Sequence, residues 1–240
     1  MTFGVRRLGP GDLPLLLDLQ QRIRSALDDT SVFQTSTPDF IAYCLAGGGR
    51  CYGVLHERET VAYRIVYFPR DRDFNLAKDT TLDPAEYHRV AHWDTVAVLP
   101  GWRGHALARL MNARALADLA DTDVRHLFAT SSPANPHGVR TLMEAGFRPI
   151  CLVRKFGGKL RFLLHRTVQP GTPTRIDDPL DPVGPAGEGP EKAVDLTATA
   201  ELEAAFAEGW TDSGMLVDPR GGHARLLMRH RPLPFAPVRR

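Results

Sequence analysis

Residues fit for chemistry gather in one stretch, Val96-Ala97-Val98-Leu99-Pro100-Gly101-Trp102-Arg103-Gly104-His105-Ala106-Leu107-Ala108-Arg109-Leu110. An apolar run ends at a proline, an arginine and small residues follow, and a helical pattern begins at once. The first turn of a helix leaves backbone N–H groups without partners, at the positive end of the helix dipole. Such a mouth suits a phosphate. Gly104, Ala106 and Ala108 let an anion approach the backbone, and Arg103 adds a permanent positive charge. The Gly-Lys-Ser/Thr ending of a P-loop is absent, and so is the G-x-G-x-x-G of a dinucleotide fold. Just upstream, His92 and Asp94 stand two apart on the same run. On a strand both side chains then share one face.

The segment resembles the coenzyme A signature of the GNAT acetyltransferase superfamily, R/Q-x-x-G/A-x-G/A, with Arg103, Ala106 and Ala108 at its fixed positions. Downstream, Asn135 lies eleven residues before Gly146-Phe147, which is similar to the family's Asn-helix-Gly-Phe ending. The likeness is strongest over 96–150 and extends over 3–168. It implies a mixed central sheet with helices on both faces. It implies that Arg103, Gly104, His105, Ala106, Leu107 and Ala108 cradle the pyrophosphate of acetyl-coenzyme A. The strand edge at Val96, Ala97 and Val98 would pair with the pantetheine arm, and Asn135 would bind its amide. The implied activity is N-acetyl transfer to an amine by direct attack in a ternary complex. The acceptor stays open: a small amine, an aminoglycoside-like or peptide antibiotic, or a protein amine.

An attacking amine must lose a proton, and a base near the thioester serves that step. Counting back from Val96 to the family's base position gives His92, with Asp94 as orienter, as cation site or as the base itself. In many members a tyrosine four residues before the Gly-Phe protonates the departing thiolate; that position here is Leu142. Tyr87, Ser131 and Ser132 are alternative donors. The departure leaves room for a second reading, a non-catalytic module that binds acyl-coenzyme A. A third, a nucleotide-binding protein, would prefer ATP or NAD. His88 and His92 have a metal pair's spacing only on a helix; across a loop and a strand they diverge, so no metal is expected. Arg154, Lys155, Lys159 and Arg161 surround Gly157-Gly158 and read as a solvated basic hairpin, with contact to the 3′-phosphate or an acidic acceptor as the alternative.

These residues need elements to hold them. Helices are expected over 12–27, with Asp12 as N-cap and Pro14 in the first turn, and from Thr37-Pro38 to the glycines at 47–49. Strands are expected over 51–56 and 61–68, where β-branched and aromatic residues dominate. A long loop, 69–86, follows. Strand 91–99, the helix carrying Leu107, Met111 and Ala115, strand 126–130, helix 136–145 and strands 147–154 and 161–168 complete an α/β domain over 1–169. Residues 170–192 have linker composition, rich in Pro and Gly. Residues 193–240 read as a small α+β appendage: a helix over 199–208 and a hairpin of 215–217 with 224–228 across 218–222. The appendage is expected to pack on the main domain or on a second subunit, which allows a homodimer.

A net charge of +2 gives no polyanion signal, so nucleic acid is not expected as a partner. No apolar run approaches a membrane span, and no signal peptide is seen. Three scattered cysteines suggest neither a disulfide framework nor a metal site and fit a reduced, cytoplasmic setting.

Overall fold

The structure is a computed structural model. It describes residues 1–28, 30, 33–172, 190–217, 223–230, 236 and 238. The expected linker over 170–192 lies largely outside the described residues, and so does the turn over 218–222.

One seven-stranded sheet organises the main domain, in the order β1-β2-β3-β4-β5-β7-β6. Its strands are β1 (Gly4–Leu8), β2 (Gly49–His56), β3 (Glu59–Tyr67), β4 (Val90–Val98), β5 (His126–Ser131), β6 (Arg148–Lys155) and β7 (Lys159–Thr167). Only β4 and β5 run parallel; every other pair is antiparallel. β1 was not among the expected strands. Its sequence GVRRL carries two adjacent arginines, so the apolar alternation that marks a strand is absent. It forms as an edge strand by pairing along β2.

Alternation along β3 assigns the two layers. Tyr63, Ile65 and Tyr67 pack with Leu16, Leu19 and Ile23 of α1 (Leu13–Ser25) and Ile41 of α2 (Pro38–Tyr43). Val66, with Tyr52 of β2 and Trp93 of β4, packs with Ala115 and Leu116 of α3 (Leu107–Asp118) and Val139 and Leu142 of α4 (Pro136–Glu144). A side-chain period of two sends neighbours to opposite faces. Burying a large apolar side chain in either layer contributes about 1.5–3 kcal/mol.

Helix starts follow local chemistry. The Thr37 hydroxyl accepts from the Phe40 N–H, a standard N-cap bond. Asp12 precedes α1, but its carboxylate turns back to Arg6 and the Gly9 N–H rather than capping the helix.

The long loop before β4 holds two short 3-10 turns, Leu76–Asp79 and Pro84–Arg89. Its middle is tied to the C-terminal tail: the Thr81 N–H donates to the Ala236 carbonyl at 2.7 Å and the Val238 N–H to the Asp79 carbonyl at 2.9 Å. The C-terminal unit holds α5 (Thr199–Ala207) and a three-stranded sheet of β8 (Glu191–Asp195), β9 (Trp210–Val217) and β10 (Ala224–His230), in the order β8-β10-β9. β8 begins within the expected linker. Its Val194 faces inward, but its charged neighbours hide the pattern in the sequence. Leu202, Phe206, Leu226 and Met228 join the same apolar core as Phe147 and Phe162, so the unit packs on the main domain. Among the described residues, no helix is long and apolar enough to cross a membrane.

Candidate active site

The site is built where β4 parts from both neighbours. The β4–β5 ladder covers Val90, Ala91 and His92, opposite His126, Leu127 and Phe128, and goes no further. Beyond His92 the two strands splay, and the β4 edge at Val96, Ala97 and Val98 faces a gap rather than β5. On the other side, Val66 pairs with Trp93 while Arg64 pairs with Val96. β4 therefore carries one extra residue, a bulge at Asp94 and Thr95. A bulge re-aims side chains and interrupts pairing, and is favoured beside functional sites.

A cavity of about 430 Å³ lies at this splay. His92, Asp94, Thr95 and Val96 of β4, Ser131 of β5, and Ser132, Asn135 and Leu142 line it. Residues Phe33 to Thr37 form part of the wall, held by Gln20, whose amide donates to the Ser36 carbonyl at 2.9 Å and accepts the Ser36 N–H at 2.8 Å.

Asp94 is anchored by one oxygen. Its Oδ1 accepts from the Thr95 N–H at 2.8 Å and the Thr95 hydroxyl at 2.9 Å. Burial raises its pKa above the usual carboxylate range, with the Thr95 bonds and the Arg64 charge pulling the other way. A carboxylate raised in this manner is a better proton acceptor at neutral pH than an exposed one.

His92 lies on the same cavity but is engaged differently. Its Nε2 accepts the Leu76 N–H at 3.0 Å. A backbone N–H can only donate, so the ring proton belongs on Nδ1. That nitrogen is buried and has no hydrogen-bond partner among the described residues. Burial, reinforced by the Lys155 charge, lowers the His92 pKa to about 3. The ring is neutral, and its one lone pair is already taken by the Leu76 N–H.

At the end of β4, Arg103, Gly104, His105 and Ala106 are exposed, and Gly104 has φ +82°. α3 begins at Leu107, with Ala106 as its N-cap at φ +55° and no side chain capping the first turn. The mouth of the helix thus lies three residues beyond Gly104, where its opening was expected. Ala106 sits in the left-handed region that glycine adopts without strain. The first N–H groups of α3, with Leu107 and Ala108, face the loop without a cap, the feature that suits an anion.

Asn135 caps α4, its Oδ1 accepting the Gly138 N–H at 2.9 Å, while the residue also lines the cavity. A Cβ on Gly138 would lie 2.7 Å from Asn135 Nδ2 and 2.9 Å from Ser131 Oγ, so this helix start needs glycine for close approach. Of the three alternative donors, Ser131 and Ser132 line the cavity; Tyr87 instead packs against the cluster of Leu76, Leu82 and Val90.

Several lining residues carried no readable signal. Phe40, Phe74 and Phe156 come from α2, the long loop and the β6–β7 turn. Phe156 and Arg161 flank the basic turn that the sequence presents as a solvated hairpin, yet both line the cavity. Arg64 is also unanticipated. It is wholly buried on β3, its three guanidinium nitrogens have no hydrogen-bond partner among the described residues, and its centre lies 4.6 Å from the Trp93 ring. Burial lowers its pKa to about 9. Among the described residues, no group of three or more His, Cys, Asp or Glu is arranged to hold a metal ion.

Comparison with known proteins converges on one fold. The pattern of the Acetyltransferase (GNAT) family matches residues 15–147, more than half of the chain. Comparison with curated protein sequences gives no match. Among solved structures, the Escherichia coli ribosomal-protein-S18-alanine N-acetyltransferase aligns with TM-score 0.52 and 14% identity, over 70% of this chain and 94% of that one. An aminoglycoside acetyltransferase in complex with coenzyme A and kanamycin aligns with TM-score 0.52 and 19% identity, over 69% and 95%. A Staphylococcus aureus N-acetyltransferase aligns with TM-score 0.52 and 15% identity, over 70% and 98%. At these identities the likeness speaks for the fold. The family match over most of the sheet, together with that fold, establishes that the chain belongs to the acetyltransferase (GNAT) family, a class of N-acetyltransferases.

Proposed function

We propose that the protein moves an acetyl group from acetyl-coenzyme A to an amine by direct attack in a ternary complex, with Asp94 as the group that receives the amine's proton. The observation that carries this reading is the coincidence of three features on β4: an edge that loses its partner after His92, a carboxylate in the cavity at that point, and an uncapped helix mouth just past the strand's end.

The residues present fit the co-substrate. The amides of the first turn of α3 and the Arg103–Ala106 loop would hold the pyrophosphate. The β4 edge at Val96, Ala97 and Val98 would pair with the pantetheine arm as an added strand, and Asn135 would offer its side-chain Nδ2. When bound, acetyl-coenzyme A supplies a thioester whose acyl carbon accepts the amine nitrogen and whose sulfur leaves. Asp94 binds the acceptor's ammonium through the oxygen that Thr95 does not hold and takes one proton from it, which frees the nitrogen lone pair for attack on the acyl carbon. His92 serves as a positioning residue: its Nε2 fixes the Leu76 end of the loop, and its ring forms part of the cavity wall. The second proton, lost as the nitrogen becomes an amide, would pass through the Ser131 or Ser132 hydroxyl to the departing sulfur, in place of the tyrosine that Leu142 replaces.

On this reading residues 1–169 form the transferase domain, and 193–240, reached through 170–192, back it. The three cysteines are free and buried, which fits a reducing, cytoplasmic setting.

Leu142 favours a second reading, a non-catalytic binder of acyl-coenzyme A. The test is amine-stimulated release of free thiol from acetyl-coenzyme A. Asp94→Asn should lower kcat by about 10²-fold or more, the usual share of a general base, with the KM for acetyl-coenzyme A little changed. Turnover at the wild-type rate in that variant removes Asp94 from the mechanism. Tight binding with no release for any amine supports the binder.

A further inference from the structure

We propose that the acceptor is an amine with a single positive charge on an apolar body of about aryl size. This rests on the acetyltransferase reading above and narrows the acceptor that it leaves open.

Three observations converge. The first is a run of touching aromatic rings, of which Phe40, His92, Phe74 and Phe156 line the cavity, while Tyr67, buried and outside the lining, joins Phe40 to His92. Phe40 meets Tyr67 at 5.0 Å between ring centroids, Tyr67 meets His92 at 5.3 Å, His92 meets Phe74 at 5.7 Å, and Phe74 meets Phe156 at 5.8 Å. These rings come from α2, β3, β4, the long loop and the β6–β7 turn, so the wall is a product of the fold and not of one apolar segment. Phe33 extends it at the cavity's rim.

The second is the charge inventory. Among the described residues, Asp94 is the one carboxylate lining the cavity, and Arg161 is the one lysine or arginine. The Arg161 guanidinium donates to the Leu160 carbonyl and stands 6.0 Å from the Phe156 ring. With His92 held neutral, one ammonium finds one counter-charge. A second cation on the acceptor would find no second carboxylate in the cavity lining and would meet the like charge of Arg161 in a partly dry site, where an unpaired charge is disfavoured. Asp71 and Asp73 stand apart, in an open cleft on the far side of Phe40 and Phe74, exposed to solvent and with Arg72 between them. Arg72 stacks on the Tyr43 ring and Asp73 pairs with Lys78 at 3.8 Å, and such hydrated carboxylates give little selective attraction.

The third is rigidity. The Ser36 hydroxyl lies 3.4 Å from the Thr95 hydroxyl, which donates to Asp94, and Ser36 is clamped by Gln20. The carboxylate and the rim are held in one hydrogen-bonded frame before any acceptor arrives. A preformed apolar site with one fixed polar group matches small-molecule recognition.

The experiment uses the purified full chain and reads thiol release from acetyl-coenzyme A with three probes: 2-phenylethylamine, spermidine and kanamycin. The expected result is a kcat/KM for 2-phenylethylamine about tenfold or more above both others, in line with what apolar pockets discriminate. Phe74→Ala should raise its KM about tenfold and leave the KM for acetyl-coenzyme A within about twofold. Phe74 is 39% exposed, so its truncation spares the core. Phe40→Leu, checked by thermal unfolding, tests a second panel of the wall and should shift the same constant. Preference for spermidine or kanamycin overturns the proposal, as does an unchanged 2-phenylethylamine KM in both variants. Release with a polycation alone leaves the acetyltransferase reading standing while the acceptor class falls. Bound acetyl-coenzyme A with no release for any probe overturns both.

Discussion

Replacing His92 by glutamine separates a buried structural ring from a working base. In the wild type, the native His92 pKa is held down to about 3, while the unfolded chain's histidine titrates near its ordinary 6.5. As pH falls through 6.5 the unfolded chain gains a proton that the native protein refuses. Native stability therefore drops between about pH 6.5 and pH 3, by about 1.4 kcal/mol per pH unit for this ring once the unfolded histidine is charged. From pH 7.0 to 4.5 the loss comes to about 2–3 kcal/mol. His92→Gln removes that term. The glutamine carbonyl can still accept the Leu76 N–H, so the variant should lose only about 1–2 kcal/mol at pH 7, through ring contacts with Tyr67 and Phe74. Urea unfolding of both proteins at pH 7.0 and 4.5 checks this. The gap should move by about 2–3 kcal/mol in the variant's favour, enough to reverse the order of stability. His165 is buried with its pKa well below the usual value, and His126 is lowered as well, but both occur in the two proteins and cancel in the difference. Parallel pH dependence would mean that native His92 titrates normally. The Leu76 bond would then not hold, and a role as base would return.

Two further outcomes follow from the same geometry. Ala106→Glu puts a carboxylate on the exposed N-cap of α3 and should raise the KM for acetyl-coenzyme A at least about tenfold, roughly 1.4 kcal/mol of binding. Ala106→Gly, which relieves the φ +55° strain, should leave it unchanged, and a glutamate variant with the wild-type constant would remove the cradle. Arg64→Met replaces a buried guanidinium that lacks hydrogen bonds, and should stabilise the protein by about 1–3 kcal/mol in urea unfolding; clear destabilisation would show that the cation–π contact with Trp93 outweighs burial.

Much of the scaffold was legible because its signals are local. Thr37 caps α2 through its own hydroxyl, Gly146 closes α4 at φ +81°, and the strand-to-helix passage at Leu99–Leu107 is written in a proline, a glycine and an abrupt change of period. β1 and β8 escaped because charged residues interrupt their alternation, and each forms by borrowing a partner strand far along the chain. Asp12 was legible as the start of α1 but not in its bonding, since Arg6 competes for its carboxylate.

The candidate site divides the same way. Short-range sequence determined that a strand carrying His92 and Asp94 runs into an uncapped helix start, because residue type, capping and period act over a few neighbours. Only the tertiary structure decided that β4 bulges at Asp94, that it leaves β5 after His92, that the Leu76 N–H occupies the His92 lone pair, and that aromatic rings from α2, β4, the long loop and the β6–β7 turn line one cavity. Those outcomes depend on which strands and loops meet across the sheet, and a register shift of one residue or a donor sixteen positions away leaves no trace in the local pattern.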